Sequence, residues 1–356
     1  MRRAAALIIG GGPAGSAAAI TLGRAGAAPV LIERSAGERD VVCGGFLGWD
    51  ALAALKRLGL DPAKLGARPI HRLRLAAGRH MVERELPKPA AGLSRRRLDA
   101  TLLHLAEEAG AVVLRGKAVR AIEDGHVRLD DGEEMAAEAL FIATGKHELR
   151  GAARSLGGRP VSVGLRTALP PTSPLLEALA GTIELHLYDG GYAGLLVQED
   201  GAVNLCLSVA RSRMAAAASP TELFSALVKE APLLGERVGS VPEQWEAIAG
   251  VPYGWRATTT GGDCYRIGDQ AAVIASLAGD GIAIALASGA AAACAQLGGV
   301  DAARFQQEFA GRARRPILIA EMLRHMAEHR RERAVMMRLA KIRGAASLAT
   351  RLTRIS

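Results

Sequence analysis

The segment 5-AALIIGGGPAGSAAAITLGRAGAAPVLIER-34 places a run of glycines between two short apolar stretches. Two arginines and small apolar residues precede the glycines, as they would in a secretion signal, but the glycines interrupt the apolar stretch at once. A strand over 4–9, a helix over 14–25 and a second strand over 28–32 account for every part of the segment. The sequence therefore predicts a strand–turn–helix–strand unit rather than a signal peptide.

The glycine run follows the spacing G-x-G-x-x-G of a dinucleotide-binding turn. Glycines there form a tight turn and let the backbone approach a pyrophosphate, which the following helix N-terminus attracts. Glu33 follows the second strand, where a carboxylate accepts hydrogen bonds from ribose hydroxyls and repels a 2′-phosphate. This motif disfavours NADP and leaves FAD and NAD open. The residues expected at the dinucleotide are Gly10, Gly12, Pro13, Ala14, Gly15, Glu33 and Arg34.

The composition indicates a globular cytoplasmic protein. The chain has 356 residues, of which 49% are hydrophobic and 23% charged, which is enough for more than one domain. Its four cysteines stand far apart, so that no zinc knuckle, other metal site or redox pair is predicted. Isolated thiols in a long chain are typical of a reducing cytosol.

The net charge of +9 is concentrated in one segment. Residues 312–356 contain twelve Arg or Lys and three Glu, which accounts for the whole excess. Nucleic acid is not an expected partner, because the remaining chain is neutral and the basic segment lacks interleaved aromatic residues. A membrane surface or an acidic partner remains open.

A second glycine-rich pattern lies in 264-CYRIGDQAAVIASLAGDGIAIALASGAAAA-293. A predicted strand leads into Gly268-Asp269, and a loop with further glycines precedes an Ala-rich helix. Two distant segments that each place a glycine-rich turn before a helix indicate a long cofactor that is contacted at both ends. This second pattern favours FAD.

The layout resembles the FAD-binding superfamily typified by para-hydroxybenzoate hydroxylase and the geranylgeranyl reductases, over roughly residues 4–300. The resemblance implies a mixed α/β (α+β) fold, with a Rossmann-like FAD-binding domain, an inserted antiparallel substrate sheet and a C-terminal helical region. It places Asp269 at the ribityl chain. It also places the helix start at the flavin ring and pyrophosphate, through Gly279, Asp280, Gly281 and Ile282.

Three further elements match the same family. Arg95, with Leu98 and Asp99, resembles an arginine element that lies over the cofactor, although Ser94 capping a helix with exposed arginines is the alternative. The backbone at Val119 is expected at the adenine. The turn that closes the FAD site is expected at Ala143, Thr144 and Gly145.

The resemblance divides the chain into three parts. Segments with alternating apolar residues between turn signals are expected to form the substrate sheet, whose apolar face suits a lipophilic substrate. The predicted boundaries are 1–69, 93–155 and 256–300 for the FAD-binding domain, 70–92 and 156–255 for the substrate domain, and 301–356 for a basic helical tail.

The residues expected across the flavin are Cys43, Gly44, Gly45, His147 and Tyr192. The Cys-Gly-Gly turn resembles an element of geranylgeranyl-reductase-like proteins, where backbone amides approach the isoalloxazine. Its cysteine is a candidate proton donor or a small buried hydrophobe. His147 is a candidate acid–base residue or an ordinary loop histidine. Lys146 is a candidate for contacting a phosphate or an acidic substrate group, and Tyr192 is a candidate for forming a hydrogen bond with a phenol.

The nearest likeness within the superfamily is to flavoprotein oxidoreductases associated with bacterial type III polyketide synthases, through CGGF-, ATGKH- and GDQAAVI-like elements. It implies a monooxygenase that uses NADH or NADPH and O2 to oxidise a lipophilic aromatic metabolite. The alternative is reduction of a C=C bond of an isoprenoid, although only the Tyr of the reductases' Tyr-x-Trp-x-Phe-Pro element is present. A flavin electron carrier or partner-binding protein without turnover is a further alternative.

The basic tail carries apolar residues at helical spacing, among them Val335, Leu339 and Ile342. Packing of this face against the body is one interpretation. Peripheral contact with the inner face of a membrane is our hypothesis, because the same segment holds the positive charge of the chain.

Overall fold

The computed structural model of the protein describes residues 2–123, 125–261 and 264–355. In that part of the chain the strands are β1 Arg2–Ile9, β2 Val30–Glu33, β3 Phe46–Leu47, β4 Arg68–Ala77, β5 His80–Gly92, β6 Val112–Arg115, β7 Val119–Glu123, β8 His126–Leu129, β9 Glu134–Ile142, β10 Ser162–Leu169, β11 Thr182–Tyr188, β12 Gly191–Val197, β13 Val203–Ala210, β14 Glu246–Val251 and β15 Cys264–Arg266. The helices are α1 Pro13–Arg24, α2 Trp49–Arg57, α3 Arg95–Glu108, α4 Ser173–Leu179, α5 Arg211–Ala215, α6 Pro220–Glu230, α7 Pro232–Val238, α8 Gly281–Leu297, α9 Ala302–Glu328, α10 Arg330–Leu339 and α11 Ala345–Leu352.

The first sheet is built on the predicted strand–turn–helix–strand unit. Strands β6, β2, β1 and β9 lie side by side and run parallel, β15 pairs in parallel with the end of β9, and β7 and β8 add an antiparallel hairpin. The middle of β1 is fully buried at Leu7 and Ile8, as expected of a parallel strand that is covered on both faces. The predicted α/β fold class is confirmed.

Helices α1 and α8 pack closely on one face of this sheet. A Cβ at Gly289 of α8 would overlap the carbonyl oxygen of Ala14, so only glycine allows this approach of the two backbones. Gly268 lies at the same junction, where its Cβ would be 3.0 Å from the Cβ of Ala14. Small residues thus bring both glycine-rich turns to one edge of the sheet.

The second sheet has the strand order β14-β10-β13-β12-β11-β4-β5-β3. Its neighbours are antiparallel as predicted, with the exception of β4 and β11, which run parallel. These two strands belong to the two separate insertions, so no tight turn fixes their relative direction. The sequence patterns did not predict β3, which lies in 1–69, or β14, and both pair at the edges of this sheet.

Side chains of the second sheet alternate between two different environments. In β12, Ala193 and Leu195 are buried in a core with Leu223 and Phe224 of α6. The intervening Tyr192, Gly194 and Leu196 point to the opposite face. One face is therefore closed by helices, and the other contributes Tyr192, Gly194 and Leu196 to a cavity wall.

The helix-covered face of the second sheet contains a buried ionic cluster. Glu184 is fully buried, and its Oε1 lies 2.7 Å from Nε2 of His186 and 2.9 Å from Nε of Arg237. Its Oε2 accepts a hydrogen bond from Nη1 of Arg74 at 2.5 Å. Burial would raise the pKa of Glu184, but its bonds to His186 and Arg74 lower that pKa to about 2.

The basic tail packs on the body through one side of its helices. Met337 and Ala340 are buried with Tyr192 and Leu187 against the second sheet. Apolar side chains on the outer side are exposed, at Leu318, Met322, Val335, Leu339, Ile342 and Leu348. Across the described residues, no helix combines the length and the apolar character that crossing a membrane requires.

We predict that Glu184→Gln lowers the free energy of unfolding at pH 7 by about 3 kcal/mol, because it leaves buried cations without a counter-charge. The pKa of Glu184 lies below its ordinary value of 4.5. Its contribution is therefore complete above pH 4.5 and is lost as the pH falls toward 2. Urea unfolding of both proteins at pH 7 and pH 3.5 measures this difference.

The control variant is Glu177→Gln, on the exposed side of α4, which should unfold like the wild type at both pH values. A Glu184→Gln penalty that is absent at pH 7, or that grows as the pH falls, would contradict the assignment.

Candidate functional site

A cavity of about 1130 Å3 is lined by residues from both sheets. Every residue predicted at the cofactor or across the flavin lines it, with the exception of Gly15 and Asp280. Gly15 lies behind the wall, where a Cβ would overlap the carbonyl oxygen of Gly10. Gly15 therefore serves the turn by close packing rather than by facing the cavity.

The first glycine-rich turn leaves the N-terminus of α1 open to the cavity. Gly10 has φ +107°, and a Cβ there would lie 2.5 Å from the carbonyl oxygen of Ala143. Gly12 is the N-cap residue of α1, and no side chain caps the helix. Uncapped N–H groups at a helix N-terminus bind phosphate.

Glu33 is held at the end of β2 by two backbone amides. The amide of Gly11 donates to Oε2 at 2.8 Å, and the amide of Ser35 donates to Oε1 at 2.8 Å. Each carboxylate oxygen keeps further acceptor capacity. The carboxylate is therefore oriented beside the glycine turn, where a ribose would lie.

Arg95 supplies a fixed positive charge on the other side of the turn. Its Nε and Nη2 donate to the carboxylate of Asp99 at 2.8 and 2.7 Å, and Nη2 lies 3.4 Å from the position of a Cβ at Gly12. Burial would lower the pKa of Arg95, but the charge and hydrogen bonds of Asp99 raise it above its ordinary value. Ser94 also caps α3, so the two interpretations of this element are compatible.

The second glycine-rich segment also lines the cavity. Gly268 has φ +61°, and its amide donates to Oγ of Ser288 at 2.8 Å. Gly279 has φ +74°, and a Cβ there would lie 2.8 Å from the ring of Phe46. Within the described part of the chain, a Cβ placed on Gly281 would meet no heavy atom within 4 Å apart from its own helix backbone and chain neighbours. The open N-terminus of α1 suits a phosphate, and the Glu33 carboxylate suits a ribose. Together with the space beside Gly279 and Gly281, they fit a dinucleotide with an attached ring, as in FAD.

The Cys-Gly-Gly turn is positioned by a residue that the motifs did not reveal. Nδ2 of Asn204, which is fully buried in β13, donates to the carbonyl oxygens of Cys43 at 3.0 Å and Gly44 at 2.9 Å. Oδ1 of Asn204 accepts a hydrogen bond from Nε of Arg166 at 2.8 Å. An amide side chain inside the apolar strand 203-VNLCLSVA-210 was the signal that could have identified it.

Three hydroxyl groups meet at the wall formed by the second sheet. Oγ of Ser276 lies 2.5 Å from Oη of Tyr192 and 2.6 Å from Oη of Tyr253. Burial raises the pKa of both tyrosines, so both stay protonated at neutral pH. Tyr192 was a predicted site residue, whereas Tyr253 lies outside the recognised motifs. Ser276 lies within the second glycine-rich pattern but was missed, because that pattern is recognised by its glycines and aspartates.

Lys146 brings a positive charge toward this wall. Its Nζ donates to the carbonyl oxygen of Val42 at 3.1 Å. Burial would lower the pKa of Lys146, but Asp269 and Tyr253 raise it. Lys146 in turn lowers the pKa of Tyr253 against the effect of burial.

His147 lies at the other end of the cavity. Its Nε2 is 2.7 Å from Nη2 of Arg34, which directly follows Glu33 in the chain. Burial, and then the charges of Arg34 and Arg39, lower the pKa of His147. The hydrogen bonds of the described residues do not connect His147 with Ser276 or its tyrosines, so its acid–base role stays a prediction.

The remaining predicted residues also line the cavity. The amide of Ala143 donates to the carbonyl oxygen of Ile9 at 2.9 Å, which fixes the turn after β9. Nε2 of Gln270 donates to the carbonyl oxygen of Gly145 at 2.9 Å. Val119 lies at the start of β7 and is half-buried.

Comparison with known proteins agrees with this geometry. Residues 3–151 match the family described as FAD binding domain. The menaquinone reductase of Mycolicibacterium smegmatis is 30% identical over 316 residues, which is 82% of this chain and 76% of that protein.

Two solved structures share the fold. A flavoprotein/dehydrogenase from Cytophaga hutchinsonii has a TM-score of 0.80 at 17% identity, covering 98% of this chain and 93% of the other. A geranylgeranyl bacteriochlorophyll reductase-like protein from Thermoplasma acidophilum has a TM-score of 0.76 at 18% identity, covering 100% and 94%.

We predict that Glu33→Gln weakens FAD binding about tenfold or more, because the amide replaces one of two acceptor oxygens and removes the charge. Titration of the apoprotein with FAD, followed by flavin fluorescence, measures the Kd. Glu177→Gln is the matched control and should leave the Kd unchanged. Equal Kd values for Glu33→Gln and the wild type would exclude Glu33 from the cofactor site.

Proposed function

We propose that this chain, which belongs to the FAD-dependent oxidoreductase family of the mycobacterial menaquinone reductases, reduces a C=C bond of a lipophilic isoprenoid such as a prenylated quinone. The supporting observation is an apolar wall that ends at the hydroxyl groups of Tyr192, Ser276 and Tyr253. The sequence motifs favoured a monooxygenase first and C=C reduction second, and the proposed function reverses that order. The named relatives are reductases and match over most of this chain.

The cavity wall suits a long apolar substrate. Strands β4, β5, β11 and β12 line it with hydrocarbon side chains, at Leu73, Leu86, Ile183, Leu185 and Leu196. Menaquinones carry an isoprenoid chain, and transferring such a chain from water to an apolar pocket is favourable at roughly 25 cal/mol per Å2 of buried area. A pocket of this kind holds the chain and leaves orientation to a few polar groups.

The hydroxyl groups can complete a reduction. FAD, held beside the glycine-rich turns and reduced, would supply a hydride, and NADH or NADPH is the proposed electron donor. Saturation of a C=C bond then needs one proton on the second carbon. Tyr253 or Tyr192 holds that proton, and Ser276 connects the two. The positive charge of Lys146 stabilises a tyrosine oxygen that has given up its proton.

Hydroxylation of a lipophilic phenol with O2 is the second candidate. The same tyrosine and serine hydroxyls would hold a phenolic oxygen by hydrogen bonds, which favours this chemistry in the same pocket. The two candidates differ in what happens to oxygen, so one experiment separates them.

We predict that the enzyme converts a menaquinone, anaerobically and with NAD(P)H, to a product that has gained two hydrogen atoms. Those atoms should remain after reoxidation in air, because a quinol reverts to the quinone and a saturated bond does not. Ser276→Ala should slow the reaction about a hundredfold, since it breaks the proton path. Mass spectrometry of the product and single-turnover rates measure both effects.

The control for this experiment is Ser240→Ala, which changes an exposed serine after α7. This variant should react at the wild-type rate. Substrate-dependent O2 uptake with oxygen in the product would replace the proposal by the second candidate. A product that reverts completely to the starting quinone in air would show that the enzyme reduces the quinone ring and no C=C bond of the isoprenoid chain.

We also propose that the basic tail lies on an anionic membrane surface. Exposed Val335, Leu339 and Ile342 stand beside the exposed cations Arg338 and Lys341. The buried side of the same helix packs on the second sheet with Tyr192, so this surface lies close to the cavity. A lipophilic substrate would then enter from the bilayer.

We predict that the double variant Leu339→Glu/Ile342→Glu binds phosphatidylglycerol-containing vesicles at least about tenfold more weakly than the wild type. Co-sedimentation measures the binding, and high salt should weaken the wild-type interaction. Val241→Glu changes an exposed apolar residue outside the tail and is the control. Equal binding by the double variant would refute contact through this surface.

A further inference from the structure

The last described turn of the chain inserts a charged side chain beside the cofactor cavity. Arg354 follows α11, and only 8% of its side chain is exposed. Its guanidinium forms an ion pair with Asp280 and lies 4.0 Å from the ring centroid of Trp49. Asp50 contributes a second carboxylate oxygen, 3.9 Å from Nε.

The backbone leaves room for this guanidinium. A Cβ at Gly48 would lie 2.6 Å from Nη1 of Arg354, so the arginine occupies the space that another side chain would fill. Gly48 and Trp49 form the start of α2. Arg354 therefore lies between the start of α2 and the start of α8, in the space that Gly48 leaves open.

Asp280 is a buried carboxylate that depends on this arginine. It is 1% exposed and directly precedes α8, yet its side chain does not cap the helix. Among the described residues neither of its oxygens has a hydrogen-bond partner besides the ion pair. A buried carboxylate without compensation is costly, so Arg354 supplies the charge that Asp280 requires.

This ion pair adjoins the cavity that holds the flavin. Gly279 and Gly281, the neighbours of Asp280, line the cavity, and so does Arg354. Burial lowers the pKa of Arg354 to about 10 although Asp50 raises it, so the guanidinium is charged at neutral pH. Removing Arg354 would leave the Asp280 charge uncompensated, and removing Asp280 would leave the arginine only the more distant carboxylate of Asp50.

We propose that Arg354 is a positioning residue of the flavin site, which neutralises Asp280 and so sets the charge that the flavin meets when it is reduced. Reduction adds negative charge to the flavin, and a bare carboxylate at the start of α8 would oppose it. A bare guanidinium in the same place would favour it. This inference rests on FAD binding and does not depend on the proposed substrate.

The test measures the midpoint potential of bound FAD by dye equilibration, without any substrate. Arg354→Gln should make the potential more negative and weaken FAD binding about tenfold, because it leaves Asp280 uncompensated. Asp280→Asn should make the potential more positive, because it leaves the arginine with only the more distant carboxylate of Asp50. The double variant Arg354→Gln/Asp280→Asn should return the potential close to the wild-type value.

Arg351→Gln is the matched control, since Arg351 lies one turn earlier on α11 and is exposed. It should keep the wild-type potential and Kd. Shifts of equal sign in Arg354→Gln and Asp280→Asn, or an unchanged potential in both, would overturn the proposal and leave Arg354 as an anchor of the tail. If Arg354→Gln fails to fold, Asp280→Asn alone decides by the direction of its shift.

Discussion

The contact between α1 and α8 is the constraint on which the site depends. The two helices belong to segments that are far apart in the chain, and each follows a glycine-rich turn. Their backbones touch at Ala14 and Gly289, where no side chain beyond hydrogen fits. Because the helices are locked at this distance, the open helix end, Glu33 and the Gly268 turn face one cavity. A larger residue at Gly289 would separate the two halves of the cofactor site before it affected either half alone.

The two sheets divide the work of the site. The parallel sheet contributes backbone groups and fixed charges, at the open end of α1, Glu33 and Arg95, which suit a dinucleotide cofactor. The second sheet supplies an apolar wall with a small hydroxyl cluster, where shape and a proton source matter. One link between them is Asn204, which reaches from β13 of the second sheet to the Cys43 turn. Its Nδ2 holds that turn at a fixed distance from the wall.

The sequence predicted those parts of the structure that short-range patterns encode. The first strand, glycine turn and helix, with Glu33 beyond them, could be predicted because spacing along the chain determines their geometry. Asn204, Tyr253 and Ser276 could not, because their partners lie far away in sequence and meet only through the topology. Arg354 belongs to the predicted tail and Asp280 to the second glycine-rich pattern, so no single motif indicated their ion pair. The parallel pairing of β4 and β11 likewise follows from two insertions meeting, which no local pattern records.

The alternation of β11 and β12 has a practical consequence for redesign. Glu184 and its cations occupy one face of this sheet, while Ile183, Leu185 and Leu196 occupy the other. The backbone thus separates the ionic cluster from the side chains that shape the pocket. A mutant library confined to the pocket face can explore substrate preference without touching the ionic cluster.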